Sequence, residues 1–544
     1  MGGLADFLDS LVGGVDRVFF SVAIGGLIWG MFMLKPWSRR YDEKHLSSTV
    51  TLIYYGAFGL ALTQGFALII KVWLMNVTLG VWPFPAFADT IQFKAGMVRM
   101  IVMGCLAFYV GSKLSLQPTS KNAWYNATAL AIPALIAGAW LAHGAGRFDG
   151  RIQLMTITVI HQIAAAAWVG GVFQLINIWR LSTLNAIDPV LWPNFLKQFG
   201  KLGLVSLAVL MATGLPMAIG YIDSWNGFIG TGYGNLLLVK LLLLAIALFL
   251  AYLNNRGTRE FFEQNRETLL FREIPSYIQA ETFLLVSILF TAVSLATQPP
   301  AIDIPKTTAT WQETLATFKP RIPLTTSPTH EELMAGEPGR TAIIGQVPSR
   351  ASADWSDYNH NVAGIFVTTI AVLAIIASLR PPPPHRGPYW PLGFAFLGLF
   401  LFIRSDPEAW PLGPIGFWES TLENGEILQH RIATFMAFMM GVMEYKARHP
   451  NNSNKKLIYM FPLLGAFGGL MLLTHSHVGF QPKTAFLIQA GHTLMGVFAI
   501  IIASARWLEI RLNDPKQRQI AGLISAFAML QLGMILLFYQ EPLY

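Results

Sequence analysis

The strongest constraint on this chain is the recurrence of charge-poor apolar stretches of membrane-crossing length. They lie at roughly 15–35, 48–75, 92–112, 123–143, 153–179, 201–222, 234–254, 276–296, 359–379, 389–404, 428–446, 456–476, 485–506 and 518–540. A helix crosses the hydrocarbon core with about 20 apolar residues. Lipid offers no partner for backbone N–H and C=O groups, so a span must satisfy them internally, as a helix does. Only 12% of the 544 residues are charged, against about a quarter in soluble domains. The expected fold class is therefore all-α: a polytopic helical membrane protein of about 14 transmembrane helices. The 48 glycines and 16 tryptophans suit close helix packing and headgroup anchoring.

Charge sets the expected orientation. Alternate loops are basic: Lys35 with Arg39, Arg40 and Lys44; Lys113 with Lys121; Arg256, Arg259, Arg266 and Arg272; Lys446, Arg448, Lys455 and Lys456; Arg506, Arg511, Lys516 and Arg518. The intervening loops 76–91 and 223–233 carry no Lys or Arg. The positive-inside rule then puts the basic loops in the cytoplasm and both termini in the periplasm. It also accounts for the net charge of +8 without nucleic acid. The N-terminus MGGLADFLDS has no basic segment ahead of its first span, so no cleaved signal peptide is expected. Cys105 is the single cysteine, which excludes disulfides and cysteine-cluster zinc or iron–sulfur sites.

The expected organisation is a membrane domain at 1–300 with about eight spans, a Pro/Thr/Ser-rich periplasmic cap at 301–358, and a second membrane domain at 359–544 with about six. That topology makes the histidines informative. His45, His385 and His449 fall in cytoplasmic loops, His330 in the cap, and His360 where the cap enters the ninth span. The other six, His143, His161, His430, His475, His477 and His492, all fall in or beside the outer halves of spans. The segment LAHGAGRF…VIHQ is similar to LLTHSHVGF…AGHT, with His143 and His161 18 residues apart and His475 and His492 17 apart. Such weak internal repeats are a feature of transporters built around a central site. Neutral imidazole is the commonest ligand for copper, zinc and haem iron. A polar side chain deep in lipid is a functional candidate by default. These six histidines are therefore the candidate metal ligands. Hydrogen bonding to neighbouring helices is the competing explanation for each.

Soft donors accompany them. Met97, Met100, Met103 and Cys105 run inward along the third span, and Met155, Met211 and Met217 lie in the outer halves of the fifth and sixth. Thioether and thiolate suit Cu(I), although methionine also fills irregular helix contacts. Arg99, Lys240 and Glu281 are charges inside spans. Arg99 and Lys240 are a candidate anion site for haem propionates, while snorkelling of Lys240 and pairing of Glu281 with a cytoplasmic Arg are the plainer alternatives. Asp406, Glu408, Glu419 and Glu423 form either a solvated surface or an electrostatic funnel toward His430.

The run HQIAAAAWVGGVFQL (161–175), with GLVSLAVLMATGL (203–215), GNLLLVKLLL (234–243) and YLNNRGTR (252–259), resembles the copper resistance protein D (CopD/PcoD) membrane domain over most of residues 10–300. WSDYNHN (355–361), FIRSDPEAWPLGPIGFWES (402–420), LQHR (428–431) and LLTHSH (472–477) are similar to the C-terminal region of long two-part bacterial members. The resemblance implies a multi-pass protein of the bacterial inner membrane that takes copper from the periplasmic side, working with a separate CopC-like periplasmic carrier. His161 opens its most recognisable motif. The expected cofactor or cargo is copper ion, bound among the six outer-half histidines. Two alternatives stay open. One is a haem b electron-transfer protein, with His161 and His492 as axial ligands and a cytochrome as its partner. The other is a subunit that delivers copper to, or scaffolds, a membrane oxidase complex. No nucleotide-binding GxxxxGK[ST] or DKTG motif is present, so ATP-driven pumping is not expected; nor is an enzymatic role, save a redox one if haem is bound.

Overall fold

The computed structural model describes residues 2–38, 43–147, 149–184, 191–264, 269–336, 349–380, 388–474 and 482–542. Among them are fourteen helices of thirteen or more residues. They are α1 (Gly2–Ile28), α2 (Glu43–Leu79), α3 (Ile91–Tyr109), α4 (Lys121–Trp140), α5 (Arg151–Thr183), α6 (Leu191–Tyr221) and α7 (Gly232–Gln264). The remainder are α8 (Ile274–Thr297), α9 (Arg350–Leu379), α10 (Leu392–Arg404), α11 (Gly425–Arg448), α12 (Met460–Thr474), α13 (Pro482–Arg511) and α14 (Pro515–Leu537). Each coincides with one expected stretch. The protein is a polytopic helical membrane protein, and eleven helices are long and apolar enough to cross a bilayer.

The other three differ for physical reasons. Helix α10 has thirteen residues, about 20 Å at 1.5 Å per residue, which is short of a core about 30 Å thick. Helix α11 carries Glu426, His430, Arg431, Glu444, Lys446 and Arg448. Helix α4 opens on the polar run KNAWYN and contains Pro133.

The chain divides into two compact units. An amino-terminal unit comprises Leu8–Tyr221 and Ile246–Ala296; a carboxy-terminal unit comprises Met1–Phe7, Ile222–Ala245 and Thr297–Tyr544. In the amino-terminal unit α2, α3, α4, α5 and α6 pack in sequence order, and α2 also meets α5. Small residues set how closely helices approach. A Cβ on Gly25 of α1 would collide with the Ala166 carbonyl and Gly170 Cα of α5, and one on Gly170 with the Ser21 carbonyl. The α1 and α5 backbones therefore touch, the kind of contact that drives association where lipid supplies no hydrophobic force.

The carboxy-terminal unit is a ring. Helices α9, α10, α11, α12, α13 and α14 each pack on the next, and α14 returns to α9. The polar stretch before α9 is tied onto this ring. Leu324 N–H donates to Asn361 Oδ1 at 2.6 Å, and Arg404 Nη2 donates to Ser327 Oγ at 2.6 Å. A short helix at Trp311–Ala316 is closed by a capping box between Thr310 and Glu313, and Lys483 of α13 pairs with Glu313.

Candidate functional site

The outer-half histidines fall into two groups. In the amino-terminal unit, His143 opens the short turn His143–Gly146 after α4, its Nε2 3.4 Å from Leu295 O and its ring centroid 6.0 Å from that of Tyr221. The Arg147 guanidinium lies over the same tyrosine at 5.6 Å. His161, three turns along α5, places Nδ1 2.8 Å from Thr213 Oγ1 on α6. The Thr213 hydroxyl donates its single proton to Val209 O at 2.6 Å, so it accepts from His161. Nδ1 therefore carries the imidazole proton, and Nε2 carries the lone pair a metal would need. Gly214 follows directly, and a Cβ there would sit 3.4 Å from His161 Cε1. One turn back along α5 and one turn on along α6, Thr158 Oγ1 donates to Leu154 O and contacts Met217 Sδ at 3.6 Å. The α5–α6 interface thus carries an imidazole and a thioether one turn apart.

The carboxy-terminal unit gathers the others. His492, buried in α13, donates from Nδ1 to Ile488 O at 2.9 Å. His360, half-buried in α9, has Nδ1 2.8 Å from Ser356 O. Their ring centroids are 5.8 Å apart with planes at 87°. Tyr539, just beyond α14, stacks on His360 at 4.1 Å and meets the His492 ring at 5.9 Å. Its hydroxyl donates to Glu541 Oε2 at 2.8 Å, the same oxygen that accepts from Ser356 Oγ at 2.8 Å. Burial, reinforced by the neighbouring Glu541 carboxylate, pushes the Tyr539 phenol well above its usual range, so it remains a donor. Burial raises Glu541 to about 7, against the two hydrogen bonds that favour its charged form.

His430 of α11 belongs to the same unit. Its Nδ1 is 2.8 Å from Asp406 Oδ1. Burial opposes the Asp406 charge, but His430 beside it holds the carboxyl below its ordinary value. Glu408 is pushed up by burial. Of the four acidic residues 406, 408, 419 and 423, Asp406 is the one hydrogen-bonded to His430, while Glu419 and Glu423 are exposed. Arg431, next in sequence, is bound to the Phe417 carbonyl and the Thr421 hydroxyl. His475 and His477 lie outside the described residues.

The soft-donor series on α3 divides by face. Met103 is fully buried among apolar side chains, Met97 and Met100 are half-buried, and Cys105 is exposed. Met211 also faces outward, and Met155 is half-buried. Arg99 is buried and donates from Nη1 to Asp16 Oδ2 and Gln64 Oε1, both at 2.8 Å. Its charge is met within the amino-terminal unit. Lys240 is half-buried and belongs to the carboxy-terminal unit, through its Ile222–Ala245 segment. Glu281 accepts from Trp168 Nε1 at 3.0 Å and from Asn254 Nδ2 at 2.9 Å. Among the described residues no three His, Cys, Asp or Glu side chains converge as a metal-holding group.

Residues 193–295 match the family model described as copper resistance protein D. Over this segment the chain is similar to the copper resistance protein D family. The match opens at the start of α6 and closes at the end of α8. It includes Thr213, Met217 and Glu281, and it stops short of His161, which Thr213 holds. No curated protein and no solved structure matches the chain. The protein is thus a multi-pass membrane protein in contact with lipid, with one segment similar to copper resistance protein D.

Sequence reasoning passed over Tyr539, Glu541, Asp16 and the pairing role of His360. Asp16 was visible as an acid inside the first apolar stretch. His360 stood in the WSDYNHN motif, but nothing in the spacing linked it to His492, 132 positions later.

Proposed function

We propose that this protein handles copper as cargo, accepting it on the periplasmic side of the bacterial inner membrane and passing it inward, in a transport rather than a catalytic role. One observation carries the reading: Thr213, inside the copper resistance protein D match, orients His161 so that its Nε2 lone pair can meet an incoming ion. Ligating histidines commonly donate their other ring N–H in this way. Met217, one turn further along, supplies a soft donor suited to Cu(I). The donor of the ion would be a separate periplasmic carrier of the CopC type.

The test is an absorption spectrum of the detergent-purified protein with metal content from the same sample. A colourless protein that holds copper, and loses an equivalent on His161→Ala, is the expected result. A Soret band that sharpens and shifts on dithionite would overturn the copper reading in favour of haem b. Copper retained in full by His161→Ala would remove His161 from the path.

A further inference from the structure

Four charged side chains at the ends of α11 and α13 form a closed circuit. Glu444 and Arg448 stand one turn apart at the end of α11, and Arg506 and Glu509 lie in the last two turns of α13. Arg448 Nε is 2.5 Å from Glu444 Oε1, and Arg506 Nη2 is 2.9 Å from the same oxygen. Arg506 Nη1 is 2.9 Å from Glu509 Oε2, and Arg448 Nη2 closes the circuit on that oxygen at 3.5 Å. Cation and anion alternate around it, so the four charges cancel. The neighbouring Lys455, Lys456, Lys516 and Arg518 assign these helix ends to the cytoplasm.

The circuit joins helices that are not neighbours in the ring, since α12 packs on each of them in turn. Glu444 is fully buried and Arg506 is 4% exposed. Adjoining elements brace it. Arg448 lies over the ring of Trp390, just ahead of α10, at 5.1 Å. Arg518 of α14 donates from Nε to the Glu509 carbonyl at 3.1 Å.

Where the charges sit decides how the circuit can break. Two of its contacts run within a helix: Glu444 to Arg448 at i,i+4 on α11, and Arg506 to Glu509 at i,i+3 on α13. Such spacings put both partners on one face of a helix. The other two contacts run between the helices. Parting α11 from α13 therefore breaks only the interhelical contacts and leaves each helix with an ion pair of its own. Separating a buried ion pair is costly because it strands bare charges; this arrangement strands none. A strut with both cations on one helix and both anions on the other would strand all four. The placement is that of a latch that can open and close again.

We propose that this quartet is the cytoplasmic gate of the carboxy-terminal unit. Closed, it holds the inner ends of α11 and α13 together; split into its two intrahelical pairs, it lets them part and opens that end of the ring to the cytoplasm. Arg506 is the centre of the latch, because its two Nη groups reach one carboxylate on each helix. The inference rests on the transport reading for what passes the gate, and it adds the moving element that transport requires.

The experiment uses the full chain in lipid nanodiscs, with Cys105→Ser and spin labels on Asn451→Cys and Asn513→Cys, exposed positions just past α11 and α13. Double electron–electron resonance reads the distance between the labels. Glu444→Gln/Arg448→Gln removes the α11 pair and leaves Arg506 with Glu509, so neither helix carries a bare charge. It is expected to shift the distance distribution to longer values than the native quartet gives. On the same variant without the labels, a thiol introduced by Met440→Cys, one turn outward of Glu444, is expected to react faster with a membrane-impermeant maleimide added from the cytoplasmic face. An unchanged distance with only a lowered unfolding midpoint would overturn the gate and leave a fixed strut. A longer distance with the thiol still protected would overturn it too, since no path then opens. Should the double variant fail to fold, Arg506→Lys takes its place with the same expectations: it keeps the charge but loses the planar fork that reaches both carboxylates. Failure of both variants to fold would show a strut. The distance needs no copper, so this result is independent of the copper content that tests His161.

Discussion

The Arg99 guanidinium donates to the Asp16 carboxylate at 2.8 Å, across 83 residues of sequence, with side-chain exposures of 3% and 8%. An isolated charge at this depth is costly, and removing one partner of a buried pair strands the other. Asp16→Asn should therefore destabilise the protein by about 3–5 kcal/mol. The double variant Asp16→Asn/Arg99→Gln should recover part of that loss, because no bare charge remains. Unfolding midpoints in detergent measure both. An unchanged midpoint in Asp16→Asn would mean the pair does not hold α1 to α3.

On the proposed reading, Thr213 acts on copper through its hydrogen bond to His161. Thr213→Val preserves shape but removes the oxygen that accepts from Nδ1. Loss of such a supporting hydrogen bond typically costs about 10–100-fold in metal affinity. Thr213→Ser keeps the acceptor and should bind copper as the native chain does. Competition titrations of the two variants decide it. Equal affinity in Thr213→Val and native protein would show that this hydroxyl does not position His161.

The positions of the long helices could be read from hydropathy because a span must be apolar along about 20 residues, a local property of sequence, and the three that fall short of a span are the shortest or most polar of the expected stretches. What those helices bring together could not be read this way. Nothing local pairs Arg99 with Asp16, or His360 with His492; helix rotation and ring order decide those contacts. The positive-inside pattern was likewise visible without its partners. Arg448 and Arg506, read as cytoplasmic cations, are met by carboxylates: Glu444 Oε1 lies 2.9 Å from Arg506 Nη2, and Glu509 Oε2 lies 2.9 Å from Arg506 Nη1 and 3.5 Å from Arg448 Nη2. His161 could be singled out as a candidate by its motif and depth, whereas its contact with Thr213 became visible only once α6 was packed on α5.

Glu541 gives the carboxy-terminal unit a pH dependence with a definite sign. Burial raises its carboxyl to about 7 from an ordinary 4.5. The folded protein therefore retains a proton there that the unfolded chain has already released. The contribution is fully present below pH 4.5 and is lost as pH rises through about 7. Glu541→Gln, which stays neutral, should flatten the stability profile across that window. Thermal midpoints of native and variant protein at several pH values test it, and parallel profiles would assign the dependence elsewhere.

Glu281, near the start of α8, links three helices of the amino-terminal unit through neutral donors. Trp168 Nε1 of α5 donates to one carboxylate oxygen and Asn254 Nδ2 of α7 to the other, while Glu281 itself stands on α8 and is 1% exposed. The sequence suggested a cytoplasmic Arg as its partner, but the two donors that reach its carboxylate are uncharged. Trp168→Phe keeps the aromatic bulk and deletes one donor, leaving a buried oxygen short of a hydrogen bond. That omission costs about 1–3 kcal/mol. If Glu281 serves to tether α5, α7 and α8, the variant should unfold earlier yet bind copper at His161 with native stoichiometry, because the binding groups on α5 and α6 are untouched. Retained stability with slower copper movement across reconstituted vesicles would contradict the tether and place Glu281 on the route of the ion or of a coupled proton.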